Sequence, residues 1–334
     1  MSIAPVPFAE IWRGPLAESL HSGHAVICDA SGGIVESWGD PDAVILPRSS
    51  AKMLQALPLV ASGAADAHHL TPPQLALACA SHQGETMHVD AVNAWLADLD
   101  LVEEDLRCGP EPSRDRALRH QMLREGEAPC QLHNNCSGKH AGFLTLNRHL
   151  GGDSEYVDPD HPVQKAARDA FEQVTGQDSP FFGIDGCSAP NFATTMHGMA
   201  RAMAWFASAQ DRSDTLSCSG ARLIEAMYSY PELVAGQGRA CTRLMRAVSE
   251  PVAIKTGAEG YFVAILPQRG LGVALKVVDG ATRASECAMA ALLVRLGVAE
   301  ASHPDVLAFL NPEIRNRRGM LTGEVRPAMG LLSS

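Results

Sequence analysis

No stretch of this 334-residue sequence reaches the ~18 uninterrupted apolar residues that a membrane-spanning helix needs. Runs of lysine and arginine are also missing, and the net charge of −11 repels phosphate backbones and anionic headgroups. Nucleic acid and membrane surfaces are therefore not expected partners. The N-terminal "MSIAPVPFAEIWRGPLAESL" lacks a basic start followed by an apolar core, so the expected location is the cytosol. Nine cysteines occur, but no Cys-x-x-Cys pair, which excludes a zinc ribbon or a thioredoxin-like redox site by spacing. Scattered singly through a long chain, most of them read as reduced, buried, small apolar residues. No internal repeat period is found.

What is present is ordinary for a folded globule: 46% hydrophobic and 19% charged residues. "HAVICDASGGIVESWGD" (24–40) reads as a hairpin around Ala-Ser-Gly-Gly, and "AVILP" (43–47) as a short third strand. That strand runs into Arg48-Ser49-Ser50, where serine is a favoured N-cap for the helical "AKMLQALPLV". From Pro72 to about 249 the pattern is mainly helical, broken at "SHQGE" and by a Pro-, Gly-, Asn-, Cys- and His-rich stretch over roughly 105–160. Strands return with "VAIKTG", "GYFVAILP" and "GVALKVVD", followed by an amphipathic helix. The expected fold is α+β: a mostly antiparallel sheet of about five strands built from both chain ends, with a helical inserted subdomain. As one catalytic unit over 1–334, residues 1–60 and 245–334 contain the sheet and 61–244 form the insert.

Serine near neutral pH needs a base within hydrogen-bond reach to act as a nucleophile. Ser49 and Lys52 are three residues apart, so a helical turn puts them on one face; Ser50, only two before Lys52, is expected to be structural. The same spacing equally suits a capping serine followed by a surface lysine. Enzymes that acylate a serine in S-x-x-K also carry a second hydroxyl from a helical domain and a K-T-G on a strand. Here Ser81 lies in a helix break and Lys255-Thr256-Gly257 ends a strand, in the same order. Ser81-His82-Gln83 departs from the S-D-N of β-lactam-acylating enzymes, which argues against β-lactam chemistry. From spacing alone, His133, Cys136 and His140 look like ordinary metal ligands, and any single cysteine here reads as a buried apolar residue.

"PRSSAKMLQALPLV", "CASHQGE", "HNNCSGKHAGFL", "GIDGCSAP", "PELVAGQGR" and "IKTGAEG", in this order, resemble the Asparaginase II family, the rhizobial-type L-asparaginases, over about residues 8–330. The resemblance implies a serine β-lactamase/glutaminase-like fold and hydrolysis of L-asparagine to L-aspartate and ammonia. It implies two Ser-Lys pairs, Ser49 with Lys52 and Ser81 with Lys255, and a zinc site made by Cys136, Lys139 and Cys187. His140 and Asp185 then become groups behind the metal or against the substrate. For the substrate's α-carboxylate Arg48 is the candidate, and for its α-ammonium Asp185 or Glu85. A homodimer is expected. The rival readings are another serine acyl-hydrolase of the same fold, such as a glutaminase or a β-lactamase-like enzyme, and a non-catalytic zinc- or amino-acid-binding protein.

Overall fold

The computed structural model describes residues 3–332, which divide into two compact units. One comprises the chain through Ser50, Thr194–Ser208 and everything from Arg243; the other comprises Ala51–Ala193 and Ala209–Thr242.

The first unit is built on strands that pair only antiparallel. In chain order the strands of the described residues are β1 (Val6–Arg13), β2 (Leu16–Cys28), β3 (Ile34–Trp38), β4 (Val44–Ile45), β5 (Phe182–Ile184) and β6 (Pro190–Phe192). They continue with β7 (Thr194–Thr195), β8 (Ala253–Gly257), β9 (Tyr261–Leu266), β10 (Leu271–Val277), β11 (Glu313–Arg315) and β12 (Leu321–Pro327). Eight of them form one sheet in the order β11-β12-β1-β2-β10-β9-β8, with β3 also on β2. The 13-residue β2 makes this possible: Leu16–Gly23 pairs with β1, whereas Gly23–Cys28 pairs with β10 and Ala25–Cys28 with β3.

Both chain ends thus contribute to one antiparallel sheet with helices between them in sequence, the α+β arrangement expected. The strand count is larger than the five expected. β1 opens with Pro7 in its second position and β12 has Thr, Gly, Glu and Arg among its residues with only Val325 buried, so neither carries the alternating apolar signal that marks a half-buried strand. The "AVILP" strand shrinks to Val44–Ile45 and pairs with β7 outside the main sheet.

All six residues of β9 are buried. Helices Met196–Ala207 and Thr282–Arg295 both pack against β9 and β10. The first comes so close that a Cβ on Gly272 would stand 2.0 Å from the Ala204 backbone nitrogen. Glycine here lets helix backbone meet strand backbone.

The second unit is helical around Lys52–Ala61, of which nine residues are buried. It packs against helices Ser137–Leu150, Pro162–Thr175 and Thr215–Ser229. Ser137–Leu150 is buried without interruption from Ser137 to Asn147, a helix covered all round, and Gly138 admits the Leu77 carbonyl against its backbone. The hairpin β5–β6 completes the unit.

Replacing Gly272 by Ala should cost about 3 kcal/mol or more, beyond the usual range for an added methyl group because main chain, not a movable side chain, occupies the space. Urea unfolding of the purified variant measures this; a midpoint equal to that of the wild type would show that the helix–strand approach is looser.

Candidate active site

In the sheet unit, the chain leaves β4, passes Pro47 and makes a 3-10 turn, Arg48–Ala51, before the helix begins at Lys52. Ser49 therefore stands at a strand-to-helix junction, as expected, but the serines do not cap the helix: Ala51 is the N-cap and no side chain bonds there. The Ser50 hydroxyl donates to the Pro47 carbonyl at 2.6 Å and is buried, a structural role. Arg48 has φ 54°, a left-handed conformation that costs a non-glycine residue on the order of 1–3 kcal/mol and concentrates at functional sites. The end of β8 lies against this turn. A Cβ on Gly257 would sit 2.7 Å from the Pro47 oxygen and 3.2 Å from the Ser50 nitrogen, so Lys255-Thr256-Gly257 approaches the Ser49 turn where only glycine fits. Lys255 is buried and its Nζ donates to the Thr256 carbonyl at 2.8 Å.

In the helical unit, Lys52 is 1% exposed. Its Nζ donates to two main-chain carbonyls, those of Ala80 and, at 3.3 Å, Asn135. The first acceptor immediately precedes Ser81. Ser81 itself is fixed by its backbone N–H, which donates to Val234 O at 2.9 Å, while its buried hydroxyl has no hydrogen-bond partner among the described residues. A buried hydroxyl without a partner is uncommon and calls for a water, a ligand or a reactive role to account for it.

The next residues are committed to architecture. His82 Nδ1 accepts from Gly84 N at 3.1 Å, its Nε2 meets Ser137 Oγ at 3.0 Å, and its ring stacks on His88 at 4.6 Å. Burial holds His82 well below the usual imidazole range and brings His88 down to about 4, so both are neutral. Glu85 Oε1 accepts from Gln83 Nε2 and Gln237 N, each at 2.8 Å, which ties the candidate ammonium ligand into the loop around it.

Cys136, Lys139 and Cys187 come together in this unit. Cys136 is the N-cap residue of the helix carrying Lys139, and the turn of the β5–β6 hairpin delivers Cys187. Lys139 Nζ donates to Cys187 Sγ at 3.0 Å with both residues buried. Cys136, with Lys139 beside it, holds the Cys187 thiol well below its usual range, and Cys136 is pushed up by the neighbouring Cys187 and by burial. Burial alone would lower Lys139, but the charges of Cys187, Cys136 and Asp185 and the hydrogen bond to Cys187 together outweigh it and bring the amine up to about 12.

The groups behind this pair are also defined. The fully buried His140 contacts Tyr156 OH through Nδ1 at 2.9 Å, between the rings of Phe143 and Tyr156, and burial lowers it to about 4. Asp185, half-buried on the Cys187 turn, accepts from Gly186 N at 2.8 Å, and its charge also raises Lys139. No group of three or more His, Cys, Asp or Glu side chains able to hold a metal gathers among the described residues, so the His133, Cys136, His140 trio suggested by spacing does not form. His133 instead contacts Cys130 Sγ at 3.2 Å. Two sulfurs and an amine, gathered and buried, are by contrast a donor set that suits zinc once Lys139 and Cys136 give up their protons. Asn135, Glu111 and Tyr156 were not singled out in the sequence; only the Asn-rich irregularity of 133–136 hinted at the first.

The family model for L-asparaginase II matches residues 9–327. No curated protein matches the chain significantly. Among solved structures, Mglu in its Tris and glutamate form is 14% identical with a TM-score of 0.43, covering 82% of this chain and 59% of its own. A β-lactamase from Mycobacterium bovis is 12% identical, TM-score 0.40, covering 79% and 89%. The octameric penicillin-binding protein homologue from Pyrococcus abyssi is 10% identical, TM-score 0.36, covering 84% and 75%. The chain spans less than two thirds of the length of the Mglu structures it matches.

The neutral His88 has a consequence for acid stability. The unfolded chain takes up its proton near pH 6.5 and the folded chain near 4, so stability is greatest above the first value and falls as pH drops to the second, by about 3 kcal/mol for His88. Urea midpoints of wild type and His88→Gln at pH 7 and 4.5 measure this; the variant should lose less on acidification, and equal losses would remove the assignment.

Proposed function

Since the chain belongs to the L-asparaginase II family, we propose that it is an amide hydrolase that converts free L-asparagine to L-aspartate and ammonia. Ser49 Oγ attacks the side-chain amide carbon and Lys52 takes the hydroxyl proton. Ser81, with Lys255, relays the proton held by Lys52 to the departing nitrogen, so ammonia leaves, the acyl group stays on Ser49 and Lys52 is neutral again. Water, activated by Lys52, then hydrolyses that ester and restores the serine. The backbone N–H groups of Ser49 and Ala258 receive the oxyanion.

The observation that carries this reading is the bonding of Lys52. Its amine is buried with two carbonyl acceptors. In the base form proposed here the amine has two N–H donors and one lone pair, so the two carbonyls can take both donors and the lone pair remains for the serine proton. A surface lysine following a helix cap would have neither the burial nor this pairing. The unspent Ser81 hydroxyl and the approach of Gly257 to the Ser49 turn support the remaining roles.

Zinc would be held by Cys136, Lys139 and Cys187. When bound it supplies positive charge that orients the α-amino and α-carboxylate groups of the substrate. Arg48 is the proposed partner of the carboxylate, Asp185 or Glu85 that of the ammonium, and His140 holds the Cys187 side of the site in place. The enzyme is proposed to work in the cytosol as a homodimer; among the described residues no helix is long and apolar enough to cross a membrane.

Ammonia release by wild type and Ser49→Ala, each with asparagine and glutamine, tests the reaction. Wild type should favour asparagine and the variant should lose on the order of 10³-fold or more; retained activity in the variant would sink the nucleophile, and turnover of nitrocefin without ammonia release would point to β-lactam chemistry instead. Metal analysis tests the zinc site separately. One zinc per chain is expected in wild type and little in Cys187→Ala, and full occupancy in that variant would remove the ligand set.

A further inference from the structure

We infer that Glu111 is a positioning residue for the Lys52 amine, acting through Asn135; the inference rests on the proposed role of Lys52 as the base. Glu111 Oε2 accepts two hydrogen bonds from Asn135, one from its backbone N–H at 3.1 Å and one from its side-chain Nδ2 at 2.7 Å. Its other oxygen, Oε1, accepts from Arg114 Nη2 at 2.7 Å and Nε at 3.1 Å. Arg114 is anchored in turn, its backbone N–H donating to Gln83 O at 2.7 Å. Burial would raise the Glu111 carboxyl, but the Arg114 and Asn135 bonds outweigh it and hold it below the usual carboxylate range.

Every polar group of Asn135 is then used. The backbone N–H and the side-chain Nδ2 both donate to Glu111, Oδ1 accepts from Cys136 Sγ at 3.0 Å, and the carbonyl accepts from Lys52 Nζ at 3.3 Å and from His82 N at 3.2 Å. Asn135 lies between the 3-10 turn Gln131–His133 and the helix that starts at Ser137, so no helical ladder fixes its peptide planes. One charged side chain from an irregular segment 24 residues earlier aims them instead. If the carboxylate is removed, the Asn135 N–H groups bonded to it are released and the carbonyl is held only by Lys52 Nζ and the single backbone N–H of His82. Lys52 then keeps Ala80 O and loses a fixed second acceptor, so its lone pair is no longer aimed.

Glu111→Ala and Glu111→Gln test this in the full chain. Glutamine keeps one acceptor oxygen for Asn135 but turns an N–H₂ toward a second donor, so it should restore function only in part. The expected order in kcat for ammonia release from asparagine is wild type, then Gln about 10-fold lower, then Ala about 100-fold lower, with KM changed less than about threefold because substrate contacts are untouched. A purely structural role would move the thermal midpoint and the amount of active enzyme without a graded loss per active site. A crystal structure of Glu111→Ala is the second arm: Asn135 O is expected to move out of bonding range of Lys52 Nζ. Asn135 unmoved, or kcat unchanged in folded Glu111→Ala, overturns the inference. Wild type that releases no ammonia from asparagine refutes the proposed reaction instead, and the crystal structure then decides Glu111 alone.

Discussion

A lysine amine buried to 1% exposure and satisfied by two main-chain carbonyls is the constraint around which the helical unit is arranged. A buried amine without partners costs several kcal/mol, so Ala80 and Asn135 must present their oxygens to it or the helix Lys52–Ala61 would not pack where it does. Those two carbonyls belong to segments 28 and 83 residues away. One precedes Ser81 and the other precedes Cys136, so meeting the needs of a single amine sets the backbone that leads into both.

Polar groups around this centre fall into two kinds. His82, His88 and Ser50 have their bonding capacity used by neighbouring backbone or side chains, and they hold loops in shape. Ser81 Oγ and the Lys139–Cys187 pair are different: one is buried without a partner, and the other is an ammonium against a thiolate where an apolar contact would be easier to bury. Structures retain such arrangements where something else is to be bound or moved.

Glycine plays a matching part in the sheet unit. Gly272 lets a helix touch a strand, and Gly257 lets a strand end touch the turn that carries Ser49. Neither contact tolerates a side chain, so the position of the Lys-Thr-Gly strand relative to the serine is a matter of main-chain packing. The left-handed Arg48 belongs to the same turn, in which the Ser50 hydroxyl bonds back to the Pro47 carbonyl.

Much of this was legible in the residues themselves. Short strands at both ends with helices between follow from local periodicity, and period 2 against period 3.6 is a property of a few consecutive residues. The Ser49–Lys52 spacing, the Lys-Thr-Gly strand and the Cys136-x-x-Lys139 turn are likewise local patterns. What the pattern missed was polar or weakly alternating: β1, β11 and β12, whose pairing is decided by the neighbouring strand and not by their own sequence. The serine cap, plausible from composition, gave way to a 3-10 turn because Ser50 bonds back to Pro47. Whether Lys52 was a surface residue, which of the cysteines and histidines met, and that Glu111 and Asn135 stand behind the amine were decided only by tertiary structure. Those facts depend on burial and on contacts tens of residues apart, and a buried donor's choice of acceptor is written in no stretch of sequence short enough to have a period.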